Sequence, residues 1–402
     1  MIDLRFERNA DMNRTLIELP SLPPDGRLYH TQLDTIEALI PNTPYASCHA
    51  PDLLEVPGGD LLCVWFAGSS EGNADISIVG SRLKAGESQW SEPVRLSDDP
   101  TRSEQNPSLF LHPNGDIWLM YTAQEARTPL TPPSKSLQYT AEIRRKVSHD
   151  NGFTWDSAET MFSRPGSFCR QKIQILSSRR WIFGNWLCFD DATLNGSDKT
   201  VFQLSDDQGA SWRTVELPGS EGRVHANVVE TEPGKLTAFL RSRFADRIWM
   251  ATSEDYGDHW TLPVRTDLRN NNSSLSAVLL PSGAIGIIYN DVAFSEEPSA
   301  PQAYWPAQRC PVTLAISEDG GHTWPYRRHI EFGEGFCGPW NDINNQRYEY
   351  PVMMVGSDAA LHTAWAWGGR RQIKYTAITE DWIRGSQIQK GLHGDGTNCC
   401  IR

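Results

Sequence analysis

The chain has 402 residues, with 37 Lys and Arg against 50 Asp and Glu and a formal net charge of −13. That acidity excludes nucleic acid as the natural partner, since phosphate contact needs clustered cations. An anionic small molecule is still compatible with it, because a few buried arginines can hold one inside an acidic shell.

No apolar run reaches membrane-spanning length, and Met1 to Arg8 is charged and lacks the apolar core of an export signal. The sequence therefore predicts a cytoplasmic protein with no membrane partner. Its eight cysteines show no metal-ligand spacing and several sit in apolar runs, so they read as reduced thiols. There is no His-Glu-x-x-His, no calcium loop and no phosphate-cradling Gly-rich loop. No metal and no cofactor is expected.

Taken in order, residues 1 to about 40 hold short extended pieces and a Pro-rich turn at Pro20 to Gly26. A strand near Leu16 or Ile36 is expected to complete a sheet begun at the other end of the chain. A first unit follows: Cys48 to Val56, a turn at Pro57-Gly58-Gly59-Asp60, Leu61 to Phe66, then Ile76 to Arg82. Trp90 closes it. The same sentence is then rewritten from Asn106, from Arg170, from His225, from Ser274 and from Tyr350. Residues 123 to 141 and 291 to 310 form long insertions of the kind that cover sites.

Four units carry one eight-residue spelling, S-x-D-x-G-x-x-W. It occurs at Ser148 to Trp155, Ser205 to Trp212, Ser253 to Trp260 and Ser317 to Trp324, roughly 50 to 65 residues apart. The Asp can accept bonds from the turn's own backbone, Gly supplies positive φ, and Trp plugs back into the core. Six such units predict an all-β chain, a six-bladed β-propeller of four-stranded antiparallel blades. It is expected to be a single domain over 1–385, with a polar tail at 386–402.

In such a ring the inner strands open around one pocket, so their first residues are the candidates for chemistry. They include His49, Asn106, Arg170 and Lys172, His225 and Asn227, Asn272 and Tyr348. Nearly all are polar ahead of apolar strands, as a polar site above apolar sheets requires.

The repeated spelling resembles the Asp-box, or BNR repeat, of the sialidase-like propellers, over about residues 45 to 380. That resemblance implies three carboxylate-binding arginines, a Tyr nucleophile paired with Glu, and an Asp acid/base. His49 stands where the first arginine is implied. Glu71, with Asp75 second, stands where the acid/base is implied. Arg241 or Arg243 matches the second arginine, with Arg247 in reserve, and Tyr348 matches the nucleophile. Arg269 and Arg371 are the candidates for the third arginine. No Glu opens the strand at His225, so His225 is left as the partner of the tyrosine.

The fold signature is whole and the sialidase set is half present, which implies a relative of altered chemistry rather than a true sialidase. Glu71, Tyr348, His49 and His225 are the proton-transfer candidates. Arg241, Arg243, Arg170 and Lys172 are the anion-binding candidates, with Asn106, Asn227 and Asn272 as polar contacts. The first reading is an enzyme acting by acid/base chemistry on a glycoside or small anionic sugar; for a uronate, a His/Tyr pair plus an Arg suffices for elimination. A cofactor-free cyclisation or elimination catalyst is the second reading, with Tyr304, Trp305, Phe336 and Trp340 as the apolar wall. A non-catalytic binding propeller is the third.

Overall fold

The computed structural model describes residues 22–42, 44–132, 135–190, 195–294, 302–306, 308–331 and 347–385. Leu16, Phe336, Trp340 and the tail at 386–402 lie outside the described residues. The rest is built from antiparallel strands. Helix among the described residues is confined to a 3-10 turn at Gln138–Thr140 and to Glu380–Arg384, capped by the Thr379 hydroxyl.

The strands group into six units. The first is Ser47–Glu55, Leu61–Gly68, Ser77–Leu83 and Val94–Arg95. The second is Arg102–Leu111, Ile117–Glu125, Glu142–Ser148 and Glu159–Phe162. The third is Ser167–Ile175, Trp181–Leu187, Lys199–Ser205 and Arg213–Glu216. The fourth is Arg223–Glu232, Lys235–Ser242, Arg247–Ser253 and Val264–Arg269. The fifth is Ser276–Leu279, Ile285–Asn290, Val312–Ser317 and Tyr326–Glu331. The sixth is Glu349–Val355, Leu361–Trp367 and Gln372–Ile378, and its fourth strand is Ile36–Ile40 from the chain's other end. A single parallel bridge, Lys199 to Arg223, joins the third and fourth units into one sheet.

The opening strand of each unit touches the opening strand of the next, and that of the sixth touches that of the first. Apolar clusters fill the spaces between neighbouring units. Leu53, Trp65 and Trp90 pack with Val352 and Tyr375, for example, and Phe239 and Met250 pack with Ile287 and Trp324.

The four repeated turns share one geometry. In each, the Ser hydroxyl donates to the Asp Oδ1 at 2.8 Å and accepts the Gly amide at 2.8 to 3.0 Å. The amide four residues after the Asp donates to the same carboxylate at 2.8 to 2.9 Å. Each Gly has positive φ, between 84° and 101°. A Cβ on Gly321 would sit 2.8 Å from the Phe239 ring, and one on Gly152 would sit 2.7 Å from Leu62, in the preceding unit in both cases. The turns therefore dock each unit against its neighbour, and Gly is needed for space as well as for φ.

The opening strands are broken near their starts. Register shifts fall at His49/Asp52, Gln105/Ser108, Cys169/Ile173, Val224/Asn227 and Glu349/Val352. Four residues at these points have φ near +50°, Ala50, Asn106, His225 and Tyr350, and Asn272, just ahead of the fifth unit's opening strand, shares that conformation. Such bulges re-aim side chains, and here they bring polar groups of several units together.

Candidate functional site

Tyr350 is the meeting point. Its ring lies 4.1 Å from the His49 ring and 5.5 Å from the His225 ring, centroid to centroid. Three guanidinium carbons surround it: Arg241 at 5.1 Å, Arg309 at 5.4 Å and Arg170 at 5.9 Å from the ring centre. Arg241 Nη1 donates to the Tyr350 hydroxyl in a short hydrogen bond. All of these side chains are buried.

Arg241 and Arg170 are cations without a carboxylate in direct contact among the described residues. Arg241 donates to Asn272 Oδ1 at 2.7 Å and to His225 Nε2 at 3.1 Å. Arg170 donates to the carbonyls of Pro51 and Tyr350, at 2.8 and 3.2 Å. Burial pushes the Arg241 guanidinium down to about 10, which still leaves it charged at neutral pH. Buried unpaired charge is costly unless something neutralises it, so two such arginines facing one tyrosine are chemically suited to an anion.

Arg309 is different. With Arg347 and Arg370 it holds Glu349, its Nη1 lying 2.8 Å from Oε2, while Arg370 donates to the same oxygen at 2.8 and 3.0 Å. Burial alone would raise the Glu349 carboxyl, but these arginines hold it well below its ordinary value. It is a fixed anion and not an acid.

The two histidines are neutral. Burial lowers both well below 6.5, helped by Arg370 beside His49 and by Arg241 and Arg243 beside His225. Because Arg241 can only donate, His225 Nε2 is the acceptor, and its Nδ1–H is left to donate to Ser274 Oγ at 3.1 Å. His225 also stacks on Trp186 at 4.0 Å. His49 is less engaged. Its Nε2 lies 3.4 Å from Glu349 Oε2, and neither ring nitrogen has a hydrogen-bond partner among the described residues.

Several residues expected at the site stand elsewhere. Tyr348 is buried in the apolar cluster of the fifth and sixth units, near Trp367, and Tyr350 occupies the centre instead. Glu71 pairs with Arg370 at 2.6 Å on the wall of a cavity. Arg243, one position beyond its strand, pairs with buried Asp198 at 2.7 Å. Lys172 is paired with Asp52 at 2.7 Å, which in turn accepts the Leu109 amide and ties the first two units together. Asn227 accepts the Ala277 amide and acts between units. The Asn106 carbonyl faces Cys169 Sγ. Asn272 does reach the centre, through Arg241.

Arg269 pairs with Asp291, and Arg371 is exposed. The arginine that reaches the centre from the fifth unit is Arg309, which sequence reasoning missed because it ends a long insertion. Tyr350 had a usable signal. Ala50-Pro51, Asn106-Pro107 and Tyr350-Pro351 align on their prolines, and the residue before each is the one with positive φ.

Against families of known proteins, residues 59–363 match the BNR repeat-like domain. The chain is 22% identical over 268 residues to a sialidase of Bacteroides fragilis strain YCH46, which covers 63% of this chain and 45% of that protein. It thus spans under half the length of that relative. Among solved structures, a Hadza microbial sialidase superposes with a TM-score of 0.65 at 18% identity, over 84% of this chain and 66% of that one. A protein of unknown function from Dyadobacter fermentans superposes equally well, at 17% identity over 85% of this chain and 97% of its own. At these identities the superpositions speak for the fold.

Proposed function

The chain belongs to the BNR repeat-like family, and from that premise we propose that it is an enzyme acting on a carboxylate-bearing sugar by acid/base chemistry at Tyr350, on a closed six-bladed propeller. The cyclic contact of the six opening strands supports the propeller. The observation that carries the activity is the pair of buried arginines, Arg170 and Arg241, unmatched by a carboxylate and converging on Tyr350 beside an unpartnered neutral histidine.

Elimination suits these groups. Arg241 and Arg170 hold the sugar carboxylate and stabilise the charge that develops on it when the adjacent carbon loses its proton. Neutral His49, with a free ring nitrogen, takes that proton. The C–H electron pair becomes the new carbon–carbon double bond, and the glycosidic C–O pair leaves with the oxygen. The Tyr350 hydroxyl gives that oxygen its proton. One proton then passes from His49 back to Tyr350, and the site is restored. Asn272, His225 and Ser274 position Arg241.

A second reading is hydrolysis with Tyr350 as nucleophile. The similarity to a sialidase and the Arg241–Tyr350 contact favour it; against it, Glu71, which would have to serve as the acid, is paired with Arg370. The test is incubation of the protein with 4-linked uronate oligosaccharides and, separately, with a fluorogenic sialoside. Elimination yields an unsaturated, ultraviolet-absorbing uronate product, lost in Tyr350→Phe and in Arg241→Ala. Fluorophore release without any unsaturated product would establish the hydrolytic reading instead. Turnover of neither substrate class would end the enzyme reading for acidic sugars.

A further inference from the structure

The segment Arg347-Tyr348-Glu349-Tyr350-Pro351 carries a buried carboxylate that the elimination, as written above, does not use. A carboxylate can stay ionised in such a place only where cations meet it. Arg347 donates to Glu349 Oε1, while Arg309 and Arg370 both donate to Oε2. Oε2 is also the atom that faces His49 Nε2, at 3.4 Å.

Arg370 is placed for this by a turn with three successive residues at positive φ: Gly368 at 61°, Gly369 at 72° and Arg370 itself at 70°. An arginine in that region is strained, and it persists because both ends of the residue are tied. Its carbonyl accepts the Cys48 amide at 2.9 Å, next to His49 in the chain. Its guanidinium holds Glu349. One residue thus anchors the strand that carries the histidine and also the carboxylate that faces its ring. The ring itself is clamped, with Phe66 edge-on at 5.3 Å and Tyr350 at 4.1 Å between centroids.

The contact decides where the proton of neutral His49 lies. A neutral imidazole carries one N–H and one bare nitrogen. A bare Nε2 would set its lone pair against the charge on Oε2, whereas Nε2–H turns the positive end of the bond toward it. Nδ1 is then the bare nitrogen, and it has no partner among the described residues. The charges that weigh most on the ring are those of Arg370, Glu349, Arg309 and Arg170. Glu349 is the one anion among them, so it is the group that makes a second proton on the ring tolerable.

We propose that Glu349 is the positioning residue of the base. It fixes the His49 proton on Nε2, leaves Nδ1 to take the proton from the substrate carbon, and offsets the charge of the imidazolium that results. The C–H electron pair passes into the new double bond as before, and Glu349 stays ionised throughout, held by its arginines. The catalytic half of this rests on the elimination proposed above; the tautomer rests on the contact alone.

Nitrogen-15 NMR of the full chain, labelled at histidine, reads the tautomer at neutral pH, with the His49 signals identified by their loss in His49→Gln. The native protein should show Nε2 protonated and Nδ1 bare. A protonated Nδ1, or a mixture of both tautomers, overturns the proposal whatever the protein turns over. Glu349→Gln keeps the side chain's size and removes its charge. The tautomer preference should be lost there, and kcat for the unsaturated uronate product should fall at least about a hundredfold with KM within threefold. A tautomer unchanged in Glu349→Gln also overturns the proposal, and a lost preference with an unchanged rate ends its catalytic half. Should that variant fold poorly, because three arginines lose their anion, the native spectrum decides alone. If the native protein eliminates no uronate, the function above fails, and the spectra still decide whether Glu349 sets the proton of His49.

Discussion

The four repeated turns and the Tyr350 centre are built on opposite plans. The turns reuse one set of bonds four times, each local to eight residues, and each can be drawn from its own sequence. The centre uses each residue once and gathers it from strands hundreds of positions apart. Arg170 bonds the Tyr350 carbonyl across 180 residues, and Arg241 bonds the Tyr350 hydroxyl across 109. Repetition suits stability, because many small equal terms add. Singular placement suits chemistry, because each group there has a different task. The turns should therefore tolerate loss of function tests and fail stability tests, and the centre should do the reverse.

The largest effect expected is at the centre. Arg241→Ala removes both the proposed carboxylate anchor and the partner of Tyr350, and should lower kcat/KM by at least about a hundredfold, as for loss of a charge-stabilising donor. The melting temperature should fall little or rise, since an unpaired buried cation is removed. Steady-state rates and calorimetric scans on the same preparation check both halves. A large fall in melting temperature with activity retained would place Arg241 with the scaffold.

Next comes a break at the rim. Gly321→Ala forces a methyl to 2.8 Å from the Phe239 ring at a φ of +101°. Overpacking and strain together should cost about 2 to 3 kcal/mol in denaturant unfolding. Activity per folded molecule should stay within twofold. Gly283, also at positive φ but with nothing within 4 Å, is the control, because alanine there meets strain alone.

How much of this could be read from the sequence follows the same division. The turns were legible because Ser, Asp, Gly and Trp each act within one local loop, so spacing alone identifies them. The opening strands were legible as polar starts before apolar runs. The choice between Tyr348 and Tyr350 was not, since it depends on a bulge that breaks strand alternation. Nor was the capture of Glu71 by Arg370, or of Arg243 by Asp198, because ion pairing across units has no signature in spacing.

A smaller effect separates the two regions by pH. The rim carboxyls Asp150 and Asp207 are held down to about 2, chiefly by the hydroxyls of Thr154 and Ser211 and by the amides of the same residues. A carboxyl depressed in the folded state contributes stability above its unfolded value near 4, and that contribution is lost as pH falls from about 4 toward 2. His49 and His225 are depressed bases. The unfolded chain takes up their protons first, so stability drops once pH falls below about 6.5. Unfolding curves should therefore show two acid limbs. His49→Gln and His225→Gln should weaken the upper limb and leave the lower one in place. If the upper limb persists in both variants, the histidines do not set it.

The finest test uses two tyrosines two positions apart in the same segment. Regular alternation would put Tyr348 and Tyr350 on one face, but the register shift between Glu349 and Val352, with Tyr350 at a φ of 54°, sends them to different places. Tyr348 lies among Val312, Leu314, Trp365 and their neighbours in an apolar cluster. Removing its hydroxyl alone keeps the ring packed, so Tyr348→Phe should cost about 1 kcal/mol of stability and leave turnover within twofold. Tyr350→Phe removes the proposed proton donor and the bond to Arg241 while keeping the ring between His49 and His225. It should abolish turnover with a similar or smaller change in stability. Rate and unfolding measured side by side on the two variants decide the matter. Should Tyr348→Phe prove the inactive one, the bulge does not turn the strand as described and Tyr350 is not the proton donor.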